Sequence, residues 1–183
     1  MAGDIETQIF SERRLKDMIA AFRELTMQTA ENSVTSLEEL CASCGVAVVV
    51  VSHLPKTYAH GATKWLNPGK AMIQLSTRYK YADIFWFSFF HELGHILLHS
   101  KKEAFAETGE KTAEESEADR FAADCLIPAS KYKAFLSKNR ITQDSIRQLA
   151  HEVGIDPGIV VGRLHHDRRV GWSDFQDLQR KFN

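Results

Sequence analysis

At 183 residues, with 44% hydrophobic and 26% charged content, the chain is long enough to bury a real core and has the composition of one globular domain with small appendages. A net charge of −1 gives no basic footprint for DNA or RNA, so direct nucleic-acid binding by this chain is not expected. No uncharged apolar run reaches membrane-spanning length, no signal-peptide pattern is present, and three cysteines, an odd number, argue for a reducing compartment; the expectation is a cytoplasmic protein without membrane contact.

Leu15, Met18, Ile19, Phe22, Leu25 and Met27 recur at helical spacing and predict one helix from Ser11 to about Thr29, capped by Ser11. A second, short helix opens at Ser36 and stops near Gly45. It carries Cys41 and Cys44, read as core because no second cysteine pair accompanies them, with a redox or zinc half-site as the sharper alternative. Cys125 is read as core as well. The run Val46 to Val51 predicts a strand covered on both faces or nearly so. Gly61 to Leu66 and Ala71 to Ser76 predict a hairpin around the turn Asn67-Pro68-Gly69-Lys70.

After Asp83 the apolar run to about His99 predicts a long helix, and Lys101 to Lys111 is a polar break. Thr112 is placed to cap the next helix, with Glu115 at capping-box spacing, and Pro128 ends it. Further helices are expected at Ser130 to Leu136, Thr142 to Val153, Pro157 to Leu164 and Ser173 to Phe182, the third opened by Asp156-Pro157. Helices, a small sheet, then helices give an α+β fold, mostly helical, with an antiparallel sheet of about three strands.

The long helix contains His91-Glu92-Leu93-Gly94-His95. Four residues is about one helical turn, so both imidazoles project from one face with Cβ atoms about 5–6 Å apart. That separation suits two ligands of a tetrahedral Zn²⁺. Glu92 lies about 100° round the helix from His91, within reach of a water beside the ion without occupying it. At this composition roughly 0.03 chance matches per shuffled chain are expected. Stacked His, Glu and His on so apolar a helix would be costly without a metal or partners. The arrangement is that of a metalloprotease, with Glu92 as general base.

Two histidines need a third protein ligand. Lys101 and Leu98 stand where HExxHxxGxxH requires His and Gly, which excludes that class. His99 lies two turns from His91 and is read as cleft lining, with a core or surface role as the alternative. Glu114, Glu115 and Glu117 on the following helix are the candidates. Glu115 is favoured, because it shares a face with Ala118, Asp119 and Ala122, small residues that allow close helix approach. Asp119, one turn on, is placed to orient an imidazole. Arg78, Tyr79, His165 and His166 are the candidate oxyanion donors.

Two segments, Phe90 to His99 and Glu115 to Pro128, resemble the ImmA/IrrE family of zinc metallopeptidases. The family pattern of a Glu, two residues, Ala, Asn or Asp, then Phe-Ala and a closing Pro supports Glu115 as the ligand. The resemblance implies a zincin-like metallopeptidase domain with an HExxH helix and a Zn²⁺ cofactor. Its metal ligands would be His91, His95 and Glu115, and its catalytic residue Glu92. The division expected is an N-terminal helical extension over 1–34, a peptidase core over 35–140 and a C-terminal helical subdomain over 141–183.

Gly61 to Leu66, Gln74 to Lys80 and Pro157 to Leu164 are similar to a subgroup fused behind an Xre-type helix-turn-helix in HigA-like antitoxin regulators. No helix-turn-helix precedes the peptidase region, so a stand-alone protease or the excised C-terminal domain of a regulator is expected. The implied activity is cleavage or control of an Xre-type repressor or antitoxin in a stress, toxin–antitoxin or mobile-element response. A non-proteolytic sensing or protein-binding domain is the alternative.

Overall fold

The computed structural model describes residues 5–51, 60–77, 81–99, 105–106, 112–138 and 140–181. Two short helices open the chain, α1 (Glu12–Asp17) and α2 (Ile19–Leu25), and α3 (Ala30–Ser43) leads into strand β1 (Val46–Val51). The hairpin β2 (Gly61–Asn67) and β3 (Lys70–Ser76) follows, then the long helix α4 (Ala82–Leu98) and the two-residue strand β4 (Phe105–Ala106). Helices α5 (Ala113–Leu126), α6 (Ala129–Leu136), α7 (Gln143–Val153) and α8 (Pro157–His166) complete the order, ending in a 3₁₀ turn at Gln176–Leu178. Among the described residues no helix is long and apolar enough to cross a membrane.

The expected first helix is present as two pieces joined by a tight turn at Met18, whose N–H points at the carbonyls of Arg14 and Lys16. Leu15 and Phe22, seven residues apart, keep one face buried through the turn. Helix α3 starts six residues before Ser36. Ser33 is fully buried with its hydroxyl on the Ala30 carbonyl, so Ser33, Leu37 and Cys41 form one inward stripe at four-residue spacing. A small hydroxyl satisfied by its own helix serves as a core residue there.

The sheet order is β1-β3-β2-β4, and its pairing corrects the all-antiparallel expectation. The hairpin β2–β3 is antiparallel, but β1 runs parallel to β3, with Val46 beside Ala71 and Val51 beside Ser76. The reason lies in β3, whose alternating Ala71, Ile73 and Leu75 are all fully buried. That strand takes the centre, and residues 52–69, β2 among them, supply the long connection a parallel pair requires.

Helix α4 is buried on nearly every side, from Ala82 to Ile96, as an apolar helix without a polar face must be. It packs on β2 and β3 and is covered by α5 and α8. Trp86, Phe89 and Phe22 meet edge to face above the sheet.

Over the described part of the helix expected from Ser173 to Phe182, residues 173–181, a 3₁₀ turn stands instead. Phe175 sits at φ 58°, Asp174 accepts from the Gly171 N–H, and Gln176 donates to the Trp172 carbonyl. The Gln176 side chain thus claims the Trp172 carbonyl, an acceptor that the first turn of a helix would have used. The tail is instead tied to the start of α4, where the Ala82 N–H donates to the Arg180 carbonyl. Arg180 also pairs with Asp156 at 2.6 Å.

Candidate metal centre

Helix α4 turns His91 and His95 to one side with their Nε2 atoms 3.0 Å apart, and both rings are almost fully buried. Glu92 is 3% exposed. The third group comes from α5. Thr112 caps that helix by accepting the Glu115 N–H, which fixes its first turn. The helices then approach closely at Gly94, where an added Cβ would lie 3.2 Å from the Ala118 Cα and from a ring carbon of Phe121. The absent side chain and the small Ala118 bring the start of α5 over the imidazoles.

Glu115 consequently places Oε2 3.1 Å from His91 Nε2 and Oε1 3.5 Å from His95 Nε2. Ligating atoms of these three side chains all lie within 4.8 Å of one another. A tetrahedral ion with bonds of about 2.0–2.1 Å sets neighbouring ligand atoms about 3.3–3.5 Å apart. The observed separations bracket that spacing. Three groups that offer lone pairs to a common point require a cation or protons between them, and two nitrogens and an oxygen are a donor set for zinc. Among the described residues no other group of three or more His, Cys, Asp and Glu is gathered in this way.

Asp119 accepts from His91 Nδ1 at 2.9 Å. A carboxylate can only accept, so Nδ1 carries a proton, and Nε2 is the atom turned toward Glu115. Burial presses His91 toward neutrality, but the Asp119 hydrogen bond and the charges of Glu92, Asp119 and Glu115 outweigh it and hold its pKa above the ordinary 6.5. His95 moves the other way: burial, then the charges of His91 and His99, bring it down to about 4. A neutral His95 offers a lone pair at physiological pH.

Thr63 on β2, 2% exposed, donates to Glu92 Oε2 at 2.6 Å. Gly61, two residues earlier on the same face, leaves room for that carboxylate; an added Cβ would stand 2.6 Å from Glu92 Oε1. The sheet therefore holds the carboxylate from behind. In front lies a cleft of about 750 Å³, with Ile84 and Phe87 of α4 on one wall and Ile159 and His166 of α8 on another. Trp172, 73% exposed, also lines it.

The structure thus brings His91, His95, Glu115 and Glu92 together. Glu114 is fully exposed and its carboxyl is held below the ordinary value by backbone and Thr112 hydrogen bonds at the helix start. Glu117 faces His99 at 3.4 Å. His165 and His166 both line the cleft, with His165 Nε2 donating to the Asp174 carbonyl and His166 stacked on Phe87. Arg78 and Tyr79 lie outside the described residues. Cys41 and Cys44 are fully buried thiols, in keeping with a core role, and burial, then Cys44, raises the Cys41 pKa well above the ordinary value.

Sequence reasoning missed two contacts. Thr63 reaches Glu92 across 29 residues, a sheet-to-helix contact that periodicity cannot show. His99 bonds to His95, and the repeat of the four-residue spacing from His91 to His95 to His99 was the available signal.

A helix pair offering two imidazoles and a carboxylate beside a second, buried carboxylate belongs to the class of metal-dependent hydrolase sites. The family model described as the IrrE N-terminal-like domain matches residues 44–165, from just before β1 to the end of α8, and the chain belongs to this family of metallopeptidases. No curated protein matches the chain.

Proposed function

We propose that the protein is a zinc-dependent endopeptidase of the gluzincin type, with His91, His95 and Glu115 as metal ligands and Glu92 as general base. The observation that carries this reading is the convergence of three ligating side chains within 4.8 Å beside a buried carboxylate at the cleft. When bound, zinc supplies Lewis acidity, polarising a peptide carbonyl and making water a stronger acid. Glu92 takes the proton from the attacking water and hands it to the leaving amine. Thr63 holds Glu92 in place for both transfers, and Asp119 keeps the His91 ring turned toward the site. The substrate is a protein, an Xre-type helix-turn-helix repressor or antitoxin encountered in the cytoplasm, in a stress or mobile-element response. Sequence resemblance supports that choice.

Glu92→Gln tests the reading. The variant should bind zinc like the wild type and lose cleavage of such a regulator by at least about a thousandfold. Cleavage at the wild-type rate would sink the proposal. Biological output retained by Glu92→Gln, but lost when the cleft is blocked, would make the domain a sensor instead.

A further inference from the structure

We propose that His99 is a positioning residue that fixes the ring tautomer of His95, and that Glu117 fixes the tautomer of His99 in turn. The inference rests on the reading of His91, His95 and Glu115 as metal-holding. His99 sits at the C-terminal end of α4, with a side chain only 5% exposed. Its Nδ1 lies 2.9 Å from His95 Nδ1, and its Nε2 lies 3.4 Å from Glu117 Oε2.

Donor counting orders the protons along this chain. The carboxylate of Glu117, 3.4 Å from His99 Nε2, attracts an N–H by its charge and so favours the His99 proton on that nitrogen. A neutral imidazole with its proton on Nε2 has an acceptor at Nδ1, and the hydrogen bond to His95 then requires the proton of His95 to sit on its own Nδ1. His95 Nε2 is left as a lone pair, turned toward His91 Nε2 and Glu115. The opposite tautomer of His99 would donate to His95 Nδ1 and put the His95 proton on Nε2, where it blocks the ligand position.

The two ligand imidazoles are therefore oriented by different means from the same helix. Asp119 of α5 contacts His91 directly, whereas Glu117 of α5 acts on His95 through His99. Glu115 lies between them and faces both Nε2 atoms. One turn of helix thus supplies a ligand and the carboxylates that set both rings.

The test is zinc affinity, measured by competition with a chromophoric chelator on the full chain, for wild type, His99→Leu and His99→Asn. Leucine fills the buried position without an acceptor and should weaken zinc binding about 10–100-fold. Asparagine offers an amide oxygen close to the position of Nδ1 and should stay within about threefold of wild type. Nitrogen-15 NMR of the zinc-loaded wild type should show His99 protonated at Nε2 and bare at Nδ1, a readout that needs no variant to fold. Wild-type affinity in His99→Leu, equal losses in the two variants, or a proton on His99 Nδ1 would each overturn the role of His99. A wild-type chain that takes up no zinc overturns the metal reading beneath it, and so is told apart.

Discussion

The hydroxyl of Thr63, on the strand β2, donates a 2.6 Å hydrogen bond to Glu92 of the helix α4, joining the sheet to the carboxylate proposed to move the proton. In Thr63→Val the shape is nearly kept but the donor is gone, leaving a buried carboxylate oxygen short of a partner at a cost of about 1–3 kcal/mol. Zinc content should be unchanged, because Thr63 touches none of the three ligands. The turnover number should fall about 10–100-fold as Glu92 loses its fixed geometry. Steady-state kinetics beside metal analysis checks this, and an unchanged turnover number would remove Thr63 from the mechanism.

Gly61 makes a complementary prediction. An alanine there would crowd the tip of Glu92, a flexible side chain able to swing aside. Gly61→Ala should therefore cost little in melting temperature while lowering turnover about tenfold or more. A large loss of stability with normal specific activity would contradict the cradle.

At Gly94 the contact is with backbone and with an aromatic ring, neither able to give way as Glu92 can. Gly94→Leu should push α5 off α4, draw Glu115 away from the imidazoles and abolish zinc uptake, with about 1–3 kcal/mol of overpacking. Metal content of the purified variant, with circular dichroism to confirm helix content, decides it. Retained zinc would mean that Glu115 does not depend on this close approach.

These contacts separate what the sequence could disclose from what it could not. The run around His91 and His95 was legible because an unbroken apolar helix with buried histidines has few other uses. Glu115 was legible because Thr112 fixes the helix start and Ala118 and Ala122 mark a face for close packing. Both are local patterns. The parallel pairing of β1 with β3 was not legible, since it depends on which hairpin strand takes the centre. Neither was the tail, where Asp174 and Gln176 bond locally and Phe175 adopts a left-handed backbone that periodicity cannot register. The contact of His99 with His95 was not legible either, since four-residue spacing puts two rings on one helix face without showing which ring nitrogens meet.

Asp83, in the first turn of α4, gives a pH prediction. Burial raises its carboxyl above the ordinary 3.8, against the lowering effects of nearby backbone N–H groups, Gln179 and His165. The folded chain therefore binds this proton more tightly than the unfolded chain does. Its contribution to stability is fully present below 3.8 and is lost as pH rises from there through the folded value. Asp83→Asn keeps an acceptor for Gln179 and removes the titration. Urea midpoints across the acidic range should decline less steeply with rising pH in the variant than in the wild type. Parallel curves would show that Asp83 is not the raised group.

Metal removal tests the centre as a whole. Chelation leaves His91, His95 and Glu115 with lone pairs converging on a shared point, so the loaded chain should be the more stable one. Free zinc at a thousand times its dissociation constant should add about 4.1 kcal/mol, read as a higher melting temperature. Glu115→Ala should lose both the bound metal and the thermal shift. Glu117→Ala should keep the metal, with a smaller loss of affinity transmitted through His99. If the two variants exchanged behaviours, Glu117 would be the ligand, and α5 would have to present its glutamates differently from the arrangement in which Glu115 faces both rings.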